Sequence, residues 1–245
     1  MNMALDSTLA QKFYAGLWGR IQHPPKQNTV SGTYSIQTKD NVEWATIIAY
    51  STIEQAIQNK VINSMLVAHL LQNKFFSNLA NDYIAYFNSH APINPAVFDD
   101  WHSRECDKII NALNRCDAKK IATYGIAQKI VNMTFKHLSC FSDAQTKADH
   151  FKYCHMPIDS KILFWIKDQQ ISKSIIPPKS IIPPWSTLKD TTYTTLQNDI
   201  RKHLSSKTAT LKTPPTVLEA EFNIWPEAKN NMKAKKNNQP YTWTY

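Results

Sequence analysis

Apolar side chains recur at three- and four-residue spacing along most of this chain, the period of a helix with one buried face. The spacing predicts helices over 43–58, 60–72 and 75–88, and a further helical stretch over 94–115 in which Pro95 suits the first turn. Residues 121–141 read as one long helix or a helix pair. Shorter helices are expected over 161–169 and 190–204, and a last apolar segment occupies 216–225. The one β-like stretch, TVSGTYSIQT at 29–38, is either a short hairpin turning at Ser31-Gly32 or an ordered loop. The pattern therefore points to an all-α, mainly helical fold.

Between the helices, residues 172–185 repeat a six-residue unit, SIIPPK then SIIPPW, whose paired prolines block helix. An extended connector is expected there, with a proline-rich docking segment as the other reading. After 225 the sequence turns basic (KNNMKAKKNNQ at 229–239), which reads as a mobile tail that either touches phosphates or only aids solubility.

Composition narrows the function. The 245 residues suffice for one sizeable domain or two small helical lobes sharing a cleft. Twenty-eight Lys and Arg against 19 Asp and Glu give a net charge of +9, which favours a polyanionic partner such as nucleic acid. No uninterrupted apolar run is long enough for a membrane span, and the N-terminus lacks the pattern of a secretory signal. The four cysteines, at 106, 116, 140 and 154, form no CxxC and suit a reducing cytoplasm. With glycine only at 16, 19, 32 and 125, neither a P-loop nor a GxGxxG turn can be built.

Candidate chemistry concentrates in 121–165. Lys129, Asn132 and Lys136 are spaced i, i+3, i+7, so they share one face of an otherwise apolar helix. Alone, that stripe fits a solvated face; the apolar surroundings favour a cleft. Downstream, Pro157 bars helix and an apolar helical run follows, which puts Asp159 at a helix start, where the plain reading is an N-cap.

Together, a turn with Gly125, a helix bearing Lys129 and the Pro157-Ile158-Asp159 sequence resemble the catalytic segment of helix-hairpin-helix DNA glycosylases. The archaeal 8-oxoguanine DNA glycosylase branch is the nearer match, because Lys136 supplies its second lysine and 30 residues separate Lys129 from Asp159. The resemblance implies two helical lobes flanking a cleft: an N-terminal lobe over 1–115, a catalytic lobe over 116–228 and a basic tail over 229–245. It also implies that Lys129 attacks the sugar C1′ and that Asp159 steadies the developing positive charge. In the same branch, Lys136, Glu221 and Trp225 would bind the extruded base. Gly125 would grip a DNA phosphate through its amide, and Lys119 and Lys120 would stand in for the hairpin's second glycine, which this chain lacks. The expected partner is double-stranded DNA carrying a damaged or modified base, with no cofactor, no metal and a monomeric chain. Lysis of the strand after base loss, and service in repair or in defence against modified phage DNA, stay open on this reading. A non-catalytic helical DNA-binding protein is the alternative.

Two competing constellations are weaker. His137, Cys140, His150 and Cys154, with His155 to spare, match no standard zinc spacing. A cysteine nucleophile at Cys140 or Cys154 would need a facing histidine, and neighbours in sequence seldom face each other.

Overall fold

The computed structural model describes residues 34–53, 70, 74–116, 122–207 and 214–244. The expected helix over 60–72 (apart from Leu70), the residues before 34, and Lys119 and Lys120 lie outside them. Among the described residues eight α-helices are delimited, in order: α1 (Lys39–Ser51), α2 (Phe75–Asn88), α3 (Pro95–Cys116), α4 (Tyr124–Leu138), α5 (Ala148–Phe151), α6 (Ser160–Asp168), α7 (Asp190–Lys207) and α8 (Val217–Lys236). Among the described residues there is no strand, and residues 34–38 lead into α1 as coil and turn. No described helix is long and apolar enough to cross a membrane.

The periodicity finds α2 to the residue and α3 to within one at each end. Helix α1 starts four residues earlier than expected, at Lys39, because Thr38 is extended and ends the preceding turn. At α3, Asn94 Oδ1 accepts from the Val97 amide at 3.1 Å, capping the helix ahead of Pro95.

Helix α4 is the centre of the molecule. All fifteen of its residues are buried, with α1, α3, α7 and a 3-10 turn at Trp185–Thr187 packed around it. Its Phe135 meets the rings of Tyr83, Tyr86 and Trp101 edge-on, at centroid separations of 5.0, 5.4 and 5.4 Å. Aromatic pairs in that geometry add to the stabilisation from burial alone.

The SIIPPK–SIIPPW segment turns back on itself instead of running extended. Ser172 O accepts from the amides of Ile175 and Ile176, and Pro177 O from that of Ser180. The second isoleucine of each repeat packs on the core, Ile176 at 1% exposure and Ile182 partly buried, while Ile181 stands 93% exposed. Proline rigidity and these two anchors deliver Trp185–Leu188 onto the first turn of α4.

That delivery changes the role of Gly125. Expected in a hairpin turn gripping phosphate, it lies inside the first turn of α4, and its amide donates to Leu188 O at 3.0 Å. A Cβ here would stand 2.1 Å from Trp185 O and 3.1 Å from the Leu188 nitrogen. Glycine is therefore needed for close backbone approach. Thr123 serves the same junction: its hydroxyl caps the Ile126 amide and donates to Ser186 O.

The basic segment after 225 is also not a tail of the expected kind. Helix α8 begins at a capping box, Thr216 with Glu219, and runs through Pro226 to Lys236. Residues 239–244 then return along it: Asn231 donates to Thr242 O, and Asp168 accepts from Tyr241 and Trp243 at 2.9 and 2.8 Å.

Gly125→Ala is expected to lower stability by about 1–3 kcal/mol, because the backbone at 185–188 must shift to admit a methyl group. Urea unfolding checks this; a variant as stable as the parent would contradict the packing described.

Candidate active site

Two lysines on a wholly buried helix set the problem. Lys129 is 6% exposed and Lys136 5% exposed, and an unpaired buried ammonium would cost several kcal/mol in lost hydration. Each lysine has its own carboxylate. Lys129 Nζ lies 3.2 Å from Asp159 Oδ2, and Lys136 is ion-paired with Glu221, itself 1% exposed. The amine of Lys136 also sits 4.7 Å over the Phe222 ring.

Asp159 divides its two oxygens between local and distant work. Oδ1 caps α6, accepting from the amides of Lys161 and Ile162 at 2.9 and 3.1 Å. Oδ2 accepts from Lys129 and, at 2.8 Å, from the indole N–H of Trp225. Asp159 thus caps α6, as its place after Pro157 predicts, and pairs with Lys129 through its other oxygen. Burial pushes its pKa up, but Lys129, Trp225 and the Ile162 amide outweigh burial and hold the carboxyl at about 2.

What fixes the Asp159 loop is Gln128, fully buried beside Lys129. Its side-chain nitrogen donates to Ile158 O at 2.9 Å, and its oxygen accepts from the Ile158 amide at 3.2 Å. The residue before Asp159 is therefore clamped on both backbone groups. Spacing along the chain gives no hint of this pairing, since buried glutamine carries no signal of its own.

Asn132, the middle member of the stripe, leads elsewhere. It donates to Gln128 Oε1 at 3.0 Å and to Tyr193 Oη at 2.7 Å, and its oxygen meets His102 Nε2 at 3.1 Å. The chain of contacts continues from Tyr193 Oη to His155 Nδ1 and from His155 Nε2 to Asp99, each at 2.7 Å; Arg201 grips Asp99 with two nitrogens. Burial, with Asp99 opposing, lowers His155 to about 4, while burial and His155 hold His102 well below its usual range. Burial likewise raises Asp99, but hydrogen bonds from Arg201 and His155 overcome it and keep the carboxyl ionised. Satisfied in this way, the network works as polar mortar between α3, α4 and α7.

Of the residues singled out from the sequence, Lys129, Asp159 and Trp225 meet at one carboxylate, and Lys136 meets Glu221 about two turns further along α4. Glu221 and Lys136 satisfy each other, and the Trp225 indole N–H is engaged by Asp159. The ring of Trp225 is half-buried, with Lys161 and Lys229 Nζ 5.9 and 5.5 Å from its centroid. Gly125 takes no part in this group.

The histidines and cysteines of the other constellations are dispersed. His150 Nε2 contacts Ser89 O at 3.0 Å, and Cys154 donates to His150 O. Burial raises the Cys154 thiol, and it raises Cys140 to about 12, so neither is a ready thiolate. Among the described residues, no three His, Cys, Asp or Glu side chains are grouped to hold a metal ion.

No protein-family model, curated protein or solved structure matches this chain.

Asp159→Asn is expected to cost about 3–5 kcal/mol at pH 7, because it leaves Lys129 buried without its counter-charge. Adding Lys129→Met should recover much of that loss. The folded carboxyl lies at about 2 against an ordinary 3.8, so its contribution is complete above about pH 4 and disappears as pH falls through about 2. Urea unfolding of the parent, the single and the double variant along that pH range reads this directly. A cost that does not change with pH would contradict the pairing.

Proposed function

We propose that this protein is a DNA glycosylase, in which Lys129 and Asp159 together cleave the N-glycosidic bond of a damaged or modified base extruded from duplex DNA. The observation that carries the reading is the meeting of Lys129 Nζ and Asp159 Oδ2 at 3.2 Å from elements 30 residues apart, with the Trp225 indole on the same oxygen. Basic net charge supports a DNA partner.

The chemistry uses Asp159 twice, as proton acceptor and then as counter-charge. An amine attacks only through its lone pair, so the Lys129 ammonium first gives up a proton, and the Asp159 carboxylate is the base in contact with it. The nitrogen then bonds to C1′ as the C1′–N bond breaks, and the base leaves with the bonding electrons and takes up the proton that Asp159 accepted, which restores the carboxylate. Positive charge grows on the sugar during this step, and a carboxylate fixed beside it stabilises that charge. Ring opening leaves a Schiff base between Lys129 and C1′. Water releases it, or β-elimination first breaks the 3′ C–O bond, which is the lyase outcome. Trp225, the half-buried aromatic of the group, is suited to stack on the extruded base. Excision of this kind serves base repair or, where the base is a hypermodified viral one, defence.

A second reading, a non-catalytic helical DNA-binding protein, is favoured by one observation: Lys129 is only 6% exposed, as a purely structural ion pair would be. Lys129→Gln separates the two. On duplexes carrying oxidised, alkylated, glucosylated or ordinary bases, the glycosylase reading expects excision by the parent on at least one substrate and a loss of at least about 100-fold in the variant, with affinity within a few-fold. Absence of excision on every substrate, with DNA affinity intact, selects the binder.

A further inference from the structure

Helix α8 carries Trp225 at its middle and then eleven more residues to Lys236, which the sequence pattern alone leaves without a register. In the structure that register is set. At about 100° per residue, Lys229 and Lys236 fall within about 40° of Trp225 around the axis, and Lys233 within about 80°. All three lysines are exposed, and none forms an ion pair with a described residue. Lys235, on another side, is tied to Asp168 at 3.0 Å. Glu227, about half a turn from Trp225, accepts from the Thr244 amide at 2.6 Å, so its carboxylate is turned to the returning C-terminal segment.

The packing makes this a fixed platform and not a frayed end. So polar a sequence holds helix poorly by itself and needs tertiary support. That support comes from Asn231 on Thr242 and from Asp168 on Tyr241 and Trp243, with the Trp243 ring 5.9 Å from Phe164. The lysines are thereby held outward in one row, and the row begins one turn after Trp225. Lys161, on α6 beside Asp159, approaches the same Trp225 ring.

We propose that the Lys229–Lys233–Lys236 face of α8, continued by Lys161, is the track on which the phosphodiester backbone of DNA lies as it enters the Lys129–Asp159 site. The inference rests on the DNA-acting reading above and adds to it the surface that holds the strand. From Lys229 to Lys236 the helix rises about 10 Å, and a DNA strand presents one charge per about 3.4 Å of axis. The row is long enough for its lysines to reach about two to three successive phosphates of one strand.

The test measures the salt dependence of binding by the full chain to a fluorescein-labelled duplex containing a tetrahydrofuran abasic analogue, followed by anisotropy. In the triple variant Lys229→Gln, Lys233→Gln, Lys236→Gln, the slope of log affinity against log salt should become shallower by about 2–3. Affinity near physiological salt should fall at least about tenfold. A triple variant of equal charge change on other elements, Lys39→Gln, Lys173→Gln, Lys202→Gln, should keep nearly the parent slope. Circular dichroism confirms that both variants stay helical. A slope equal to the parent's, or equal losses in the two triples, overturns the track, even if the parent excises a base. A selective loss with no excision on any substrate keeps the track and removes the glycosylase reading instead.

Discussion

An ammonium buried in a helical core must bring its own counter-charge, and this protein meets that demand twice on one helix. Lys129 and Lys136 occupy α4, none of whose residues is exposed. Their partners come from two separate elements, Asp159 at the start of α6 and Glu221 in α8. The two ion pairs therefore decide how α6 and α8 sit against α4. Losing either carboxylate strands a charge, and stranded buried charges cost more than the pair itself contributes. The rest of the arrangement follows from keeping those partners in place: Gln128 clamps Ile158, Trp225 steadies Asp159 from α8, and the connector brings Trp185–Leu188 against Gly125.

Much of this was legible in the chain, for identifiable reasons. The 3.6-residue period finds most of the described helices, and α2 to the residue, because an amphipathic face leaves a regular trace; it misses the short α5 and stops α8 at 225. The stripe of Lys129, Asn132 and Lys136 marked one face of α4, and Pro157 marked the start of α6 that Asp159 caps. What spacing could not say was whether the stripe met water or carboxylates, since both leave the same polar residues in the same register. Gly125 was misplaced for a related reason. A glycine signals either a turn or a close approach, and only the position of Trp185 decides between them. The basic stretch after Pro226 looked like a loose tail because its helix is held by residues 241–243, whose contacts with Asp168 leave no local pattern. His102, Tyr193 and Asp99 carry no signal in the sequence, and His155 reads there only as a spare metal ligand, because the four meet from α3, α7 and the loop before α6, far apart in sequence.

The two polar systems have different characters. The one around Tyr193 and the two low-pKa histidines is closed on itself, joined to Arg201 at its outer end, and serves to lock helices together. The other puts an amine, a carboxylate and an indole N–H on one oxygen, beside a half-buried aromatic ring flanked by two lysines. The second brings together the groups on which the proposed N-glycosidic cleavage rests, and the lysine face of α8 begins beside it. Gln128 belongs to both, holding Asn132 on one side and the Asp159 loop on the other.

The central claim is that Lys129 is the atom donor to C1′, and covalent capture addresses it most directly. Borohydride reduction during turnover on the modified-base duplexes, followed by proteolysis and mass spectrometry, locates any sugar adduct on the chain. The account predicts the adduct on Lys129 and on no other amine. An adduct on another lysine, or none on a duplex whose base is excised, would contradict Lys129 as the nucleophile.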